Sequence, residues 1–163
     1  MRHRVSGSKL NMPHSQRVAL MRNLARELFE HGTIVTTITR AKEVRPFVES
    51  IITKAKKASI LSTEIVSKGP DNAETQELKS RNLALRREIN RNFNDRKLVR
   101  KICDEVAVKY RERNGGYTRI VKLGMRRGDA SEMAVLQLID NEERQNKKPE
   151  KRSEKKEKKH EKK

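Results

Sequence analysis

The sequence has no tryptophan and only five aromatic side chains in 163 residues: Phe29, Phe47, Phe93, Tyr110 and Tyr117. Proteins that read single-stranded nucleic acid stack bases on several clustered rings. Four of these five rings sit in helical patterns that favour core packing, so recognition of splayed bases is disfavoured. With one cysteine, Cys103, neither an intramolecular disulfide nor a cysteine-based zinc cluster can form. Cys103 falls within an apolar helical stripe and reads as a buried, inert thiol in a reducing, intracellular setting. No stretch approaches the roughly 18 consecutive apolar residues of a membrane span, and no apolar signal region follows Met1. A helix lying on a membrane surface would want Trp, Phe or Leu opposite its basic face.

Acidic residues are missing from the start of the chain, where the first is Glu27. Overall there are 40 Lys or Arg against 22 Asp or Glu, a formal net charge of +18. Such an excess repels itself in a compact fold and implies a polyanionic partner, here nucleic acid. Only 33% of residues are hydrophobic and 38% are charged, so a core requires that the apolar residues be concentrated. The length suits one domain with appendages.

The first fourteen residues lack apolar periodicity and mix Arg2, His3, Arg4 and Lys9 with Ser6, Gly7, Ser8 and Pro13. They read as a basic arm, 1–14, that orders on RNA. A helix is expected from about Ser15, as N-cap, to Glu30. Its stripe is Val18, Met21, Ala25 and Leu28, widened by Leu24 and Phe29, with Arg22 and Arg26 one turn apart on another face. His31-Gly32 closes it. The β-branched run Thr33 to Ile38 reads as a strand.

Thr39 is the next expected N-cap. Val44, Phe47, Val48, Ile51, Ile52, Ala55 and Ala58 then follow helical spacing, decorated by Lys42, Arg45, Lys54, Lys56 and Lys57. Pro46 interrupts this pattern: either the helix bends there, or its regular part starts at Arg45. The signals fade from about Leu61 to Asn72, and Gly69 to Asn72 reads as a turn. A third helix is expected from Ala73 to Asn92 on a narrow stripe of Leu78, Leu85 and Ile89. Asp95 caps a fourth, carrying Leu98, Val99, Ile102, Cys103, Val106 and Tyr110, which Asn114-Gly115-Gly116 ends. Two strands, Tyr117 to Leu123 and Met133 to Asp140, flank the loop Gly124 to Ser131 and suggest an antiparallel hairpin. The globular unit is therefore 15–140. Residues 141–163, with eleven Lys or Arg, six Glu and no packing residue, form a low-complexity tail that cannot offset its ordering entropy and is expected to be disordered.

Reactive constellations are not evident. His3, His14, His31 and His160 are scattered, no pair has metal-site spacing on one helix, and no Ser-His-Asp or Cys-His arrangement stands out. Gly124 to Gly128 lacks the Lys-Ser/Thr ending of a phosphate loop. The chain is not expected to be an enzyme, and no catalytic residue, cofactor, metal or small-molecule substrate is assigned.

Several short strings then occur in order: Met1-Arg2-His3-Arg4 with Ser6-Gly7 and Leu10-Asn11; Arg22-Asn23-Leu24-Ala25; Thr36-Thr37; Arg40-Ala41-Lys42-Glu43; Gly115-Gly116-Tyr117-Thr118-Arg119-Ile120; and Gly128-Asp129-Ala130. Across residues 1 to 140 the chain resembles the family of the seventeenth protein of the bacterial large ribosomal subunit. That resemblance implies an α/β (α+β) fold with helices packed on a small mixed sheet of three strands. It also implies a cytoplasmic, ribosome-bound protein near the exit of the peptide tunnel, against ribosomal RNA and neighbouring ribosomal proteins. By the resemblance Arg2, His3, Arg4, Lys9, Arg22, Arg40, Lys42, Tyr117 and Arg119 are candidates for RNA contact. Arg17, Arg26, Arg45, Arg126 and Arg127 complete the candidate RNA-binding set. Residues 61–86 are longer than the compact family pattern, so their helix is a candidate insertion on the outside, and the 23-residue tail is extra. Two other functions fit the charge: a nucleoid-associated DNA-binding protein, with the Gly124 to Ser131 hairpin as an arm, and a ribosome assembly factor.

Overall fold

In the computed structural model, residues 7–69 and 73–139 are described. The chain runs α1 (His14–His31), β1 (Thr33–Thr37), α2 (Ile38–Lys68), α3 (Ala73–Phe93), α4 (Arg96–Lys101), a π-helical segment (Ile102–Val106), α5 (Ala107–Lys109), β2 (Thr118–Met125) and β3 (Glu132–Leu138). The strand order is β1-β3-β2, and both pairings are antiparallel. The expected α+β class holds, with one correction: the sheet is antiparallel throughout and not mixed. The cause is chain direction, because β3 returns from the β2 hairpin and lands beside β1 in the opposite sense.

The long α2 organises the core. Val44, Val48, Ile51, Ile52, Ala55 and Ala58 are all buried on one stripe. They meet Leu28 and Phe29 of α1, Ile89 and Phe93 of α3, Ile102 and Cys103 of the π-helical segment, and Leu136 of β3 in one cluster. Each of the Val, Leu, Ile and Phe side chains among these contributes roughly 1.5–3 kcal/mol on burial. Phe29 and Phe93 meet edge to face at 5.9 Å, which lets the positive ring edge meet the negative face. Alternate residues of the sheet face this core, with Ile34, Leu136 and Ile120 in register on the inner side. Val35, Val135 and Val121 align on the outer side, where Val35 and Val121 are exposed.

Several boundaries differ from the sequence pattern, each for a physical reason. Helix α1 starts at His14 with Pro13 in the cap position and no side-chain cap; Ser15 lies inside. The fixed φ of proline, here −53°, suits a helix entry without a hydroxyl acceptor. Likewise Thr37, not Thr39, precedes α2, because Ile38 already turns inward and is buried. Pro46 sits within a continuous α2. Both Pro46 and Lys42, whose carbonyl loses its usual partner, are exposed, so water can satisfy that oxygen. Helix α2 also extends to Lys68 through the stretch where periodicity faded. There Asn82 donates to Ser62 Oγ at 2.8 Å and Lys68 pairs with Glu74 at 3.1 Å, so α3 holds what α2's own sequence does not. Residues 61–68 thus finish α2, and 73–86 belong to α3.

Two turns follow the sequence closely. Gly32 ends α1 at φ +76°, donating its N–H to the Leu28 carbonyl at 2.8 Å, a left-handed cap that a side chain would strain. Asp95 caps α4, its carboxylate accepting from the backbone N–H of Lys97 and Leu98. The fourth apolar stripe is buried as expected, but its backbone loosens to π-helical at Ile102–Val106, with the Ala107 N–H reaching Ile102. Asp95→Ala should lower unfolding stability by about 1 kcal/mol, and Ile52→Ala by about 2–5 kcal/mol. Denaturant unfolding of both variants measures this, and equal losses would contradict the central placement of Ile52.

Candidate nucleic-acid interface

The candidate positions separate into distinct places. Arg2, His3 and Arg4 lie outside the described residues. From Gly7 on, the arm runs beside the start of α2: a Cβ at Gly7 would stand 3.3 Å from the Glu43 carboxylate. Lys9 is exposed and opens a tight turn, closed by the Met12 N–H on the Lys9 carbonyl at 3.1 Å. Leu10 and Asn11 take φ of +50° and +54° in it, a strained setting for leucine. On α2, Lys42 is exposed and Arg40 half-buried. The fold therefore brings the arm to the Arg40-Ala41-Lys42-Glu43 turn, about thirty residues on in the chain.

On α1, Arg22 is exposed and Arg17 half-buried. Arg26 is half-buried, with its guanidinium donating to the Phe93 carbonyl at 2.6 Å. It satisfies the C-terminal end of α3 and ties α1 to it. Arg45 is exposed but pairs with Glu49 at 3.3 Å, and Glu49 in turn accepts from the Thr118 hydroxyl at 3.0 Å. Arg119 is half-buried on the outer sheet face, opposite Gln137. Arg126 makes a two-pronged contact with Asp129, at 3.0 and 2.6 Å, and Ser131 Oγ donates to the same carboxylate at 2.7 Å. These bonds hold the Asp129 carboxyl well below the usual carboxylate range. Arg127, at the tip, is exposed and has no partner among the described residues.

Tyr117 does not lie on this surface. It is 3% exposed, with its ring 5.2 Å from that of Tyr110 and under the Lys56 ammonium. Burial pushes its phenol up, but hydrogen bonds with Lys56, Thr53 and the Gly115 backbone outweigh that and leave it below the ordinary value. The ring is therefore a core element that anchors the start of β2. Phe29, Phe93 and Tyr110 are buried as well, and Phe47 packs against the cluster, so all five rings serve the core. The Cys103 thiol is fully buried, and burial pushes its pKa up to about 11.

One basic cluster is not apparent from the sequence. Arg86, Arg87, Arg96 and Arg100, from α3 and α4, line a common groove. Its signal was present as the Arg86-Arg87 pair and the one-turn spacing of Arg96 and Arg100. The α3–α4 turn that joins them was not predictable from spacing. Among the described residues, Glu27, Glu30 and His31 could converge on a metal. All three are exposed and at helical spacing, and His31 already pairs with Glu27 at 3.4 Å, which is ordinary for a solvated helix end. No helix among the described residues is long and apolar enough to cross a membrane.

The described residues form a small α+β domain whose rings are withdrawn into the core while several arginines stand exposed. Residues 20–139 match the model of the family described as ribosomal protein L17. The chain is 66% identical over 146 residues to large ribosomal subunit protein bL17 of Kosmotoga olearia, covering 90% of this chain and 98% of that one. It is 52% identical over 143 residues to the bL17 protein of Petrotoga mobilis, covering 88% and 100%, and 41% identical over 140 residues to that of Thermotoga maritima, covering 86% and 95%. The chain belongs to the ribosomal protein L17 family.

Asp129 should titrate below the ordinary aspartate range in a carbon-detected NMR titration. Because its folded pKa is depressed, whatever it contributes is in place above the unfolded carboxylate value and is lost as pH falls through the folded one. Cys103 should react with a disulfide-exchange reagent only as fast as the protein opens. Rapid modification of the native protein would contradict its burial.

Proposed function

We propose that this chain is a structural constituent of the large ribosomal subunit, working in the cytoplasm as part of the ribosome. It binds and stabilises folded ribosomal RNA near the peptide tunnel exit, beside neighbouring ribosomal proteins, and catalyses nothing. The observation that carries this reading is the separation of the side chains: every aromatic ring is spent on the core, while Lys9, Arg22, Lys42 and Arg127 stand exposed without a protein partner among the described residues. The relatives' shared name points the same way.

The mechanism is electrostatic and geometric. Exposed Lys and Arg neutralise phosphates where RNA segments approach, releasing condensed counterions. Arg22 and Arg127 can engage a phosphate with two N–H groups each. The arm, seated beside Glu43 and continuing to Arg2, His3 and Arg4, reaches between RNA segments and fixes their arrangement. Arg17, Arg26, Arg40, Arg45 and Arg119 border these contacts. Arg126 acts through shape, since its clamp on Asp129 holds the tip that presents Arg127.

The DNA-binding alternative has one observation in its favour, the 75% exposure of Met125 at the hairpin end, as an intercalating wedge would require. Sedimentation of the tagged protein decides between the two, since recovery with the nucleoid in place of large subunits would sink the ribosomal reading. An assembly factor would leave mature subunits, so a stoichiometry of one copy per subunit after a high-salt wash is the expected result. Binding to a folded ribosomal RNA fragment should weaken steeply with salt and exceed binding to unstructured RNA of equal length. Truncation after Asp140 should leave subunit assembly intact.

A further inference from the structure

The groove between α3 and α4 belongs to none of the contacts assigned above. It has a volume of about 520 Å³ and is lined by Leu83, Arg86, Arg87, Asn90, Arg96, Val99 and Arg100. No acidic residue lines it, and its basic groups are all arginine. Arg86 is held by Asp104 at 2.6 Å and by Asn82, so it stiffens the wall. Arg87, Arg96 and Arg100 are exposed and have no partner among the described residues. Asp95, next to Arg96, accepts the N–H groups of Lys97 and Leu98 and makes no ion pair with Arg96. Three unpaired guanidinium groups facing one concavity repel each other, which a bound anion would relieve.

We infer that this groove is a second RNA seat, taking the phosphodiester backbone of a folded ribosomal RNA segment independently of the arm. The inference rests on the RNA-binding reading above and adds to it. Arginine forks suit phosphate oxygens in two-pronged contacts. Arg96 and Arg100, one helical turn apart at about 5.4 Å, present two forks to successive phosphates. Leu83, 48% exposed at the rim, and Val99 on the floor give a ribose an apolar surface. Asn90, in the same wall, has an amide oxygen without a partner among the described residues, so rotation of that amide offers a polar contact within the groove.

The test uses the full chain and in vitro transcribed large-subunit ribosomal RNA. Three variants are compared: groove (Arg87→Gln, Arg96→Gln, Arg100→Gln), arm (Arg2→Gln, Arg4→Gln, Lys9→Gln) and an equal-charge control away from both (Lys57→Gln, Lys68→Gln, Lys122→Gln). The groove variant should bind at least tenfold more weakly, with a log-log salt slope lower by about two to three. Its loss should add to that of the arm variant, as independent sites require. The Arg→Lys version of the groove should recover most of the slope but not the affinity. Unchanged unfolding midpoints confirm that each variant is folded. A groove variant that binds like the control overturns the inference while leaving the RNA reading in place, provided the arm variant is weakened. Unchanged affinity in both arm and groove variants overturns both readings. Normal RNA binding with poor incorporation into subunits also overturns the inference, in favour of an acidic protein partner.

Discussion

The burial of one helical stripe, that of α2, is the constraint on which the rest of the fold depends. Only a third of the residues are hydrophobic, and Val44, Val48, Ile51, Ile52, Ala55 and Ala58 lie on that single element. Because the stripe touches α1, α3, the π-helical segment and the inner sheet face through one cluster, no second core is needed. A chain this polar can fold because its apolar residues are concentrated. The same arrangement explains why Pro46 is tolerated. The missing hydrogen bond falls on the solvent side, whereas the buried side keeps its ladder and its packing.

That concentration has a consequence for the surface. With all five rings drawn into the core, the exterior has no aromatic platform for bases, and charge becomes its means of recognition. The charges are not equivalent. Arg26, Lys56 and Lys101 donate to backbone carbonyls of Phe93, Arg113 and Glu30, where they bind helix and loop ends together. Arg45, Arg86 and Arg126 are held by carboxylates. The cations left without partners are those free to meet phosphate, and they occur in patches on α1, at the start of α2, at the hairpin tip and along α3 and α4. Net charge alone suits a polyanionic partner of any kind. The pairing pattern indicates which side chains can bind it.

Periodicity made most of the helices legible, because a buried stripe writes itself into the sequence at 3.6-residue spacing. Gly32 and Asp95 were legible because their roles are local: a left-handed cap and a carboxylate over two backbone N–H groups. Features decided by distant contacts were not. The last two turns of α2 are held by α3, through Ser62 with Asn82 and Lys68 with Glu74, and nothing within Leu61 to Lys68 announces this. Tyr117 followed by Arg119 reads as a surface pair on a strand beside glycines, yet Tyr110 and Lys56 draw the ring inward. The direction of the sheet depended on which side β3 returned to, which no local signal encodes.

The distribution of the cations over separate faces was hidden for the same reason. On paper the basic residues form a gradient, dense and acid-free up to Arg26 and mixed thereafter, which gives the arm the main role. In the fold, Arg26 turns away to the carbonyl of Phe93 at the end of α3, and the Asp95 cap then starts α4 at Arg96, so the arginines of α3 and α4 meet across a groove. Unpaired cations thus stand on separate faces braced by one core, an arrangement that would let the proposed RNA contacts fix two segments relative to each other.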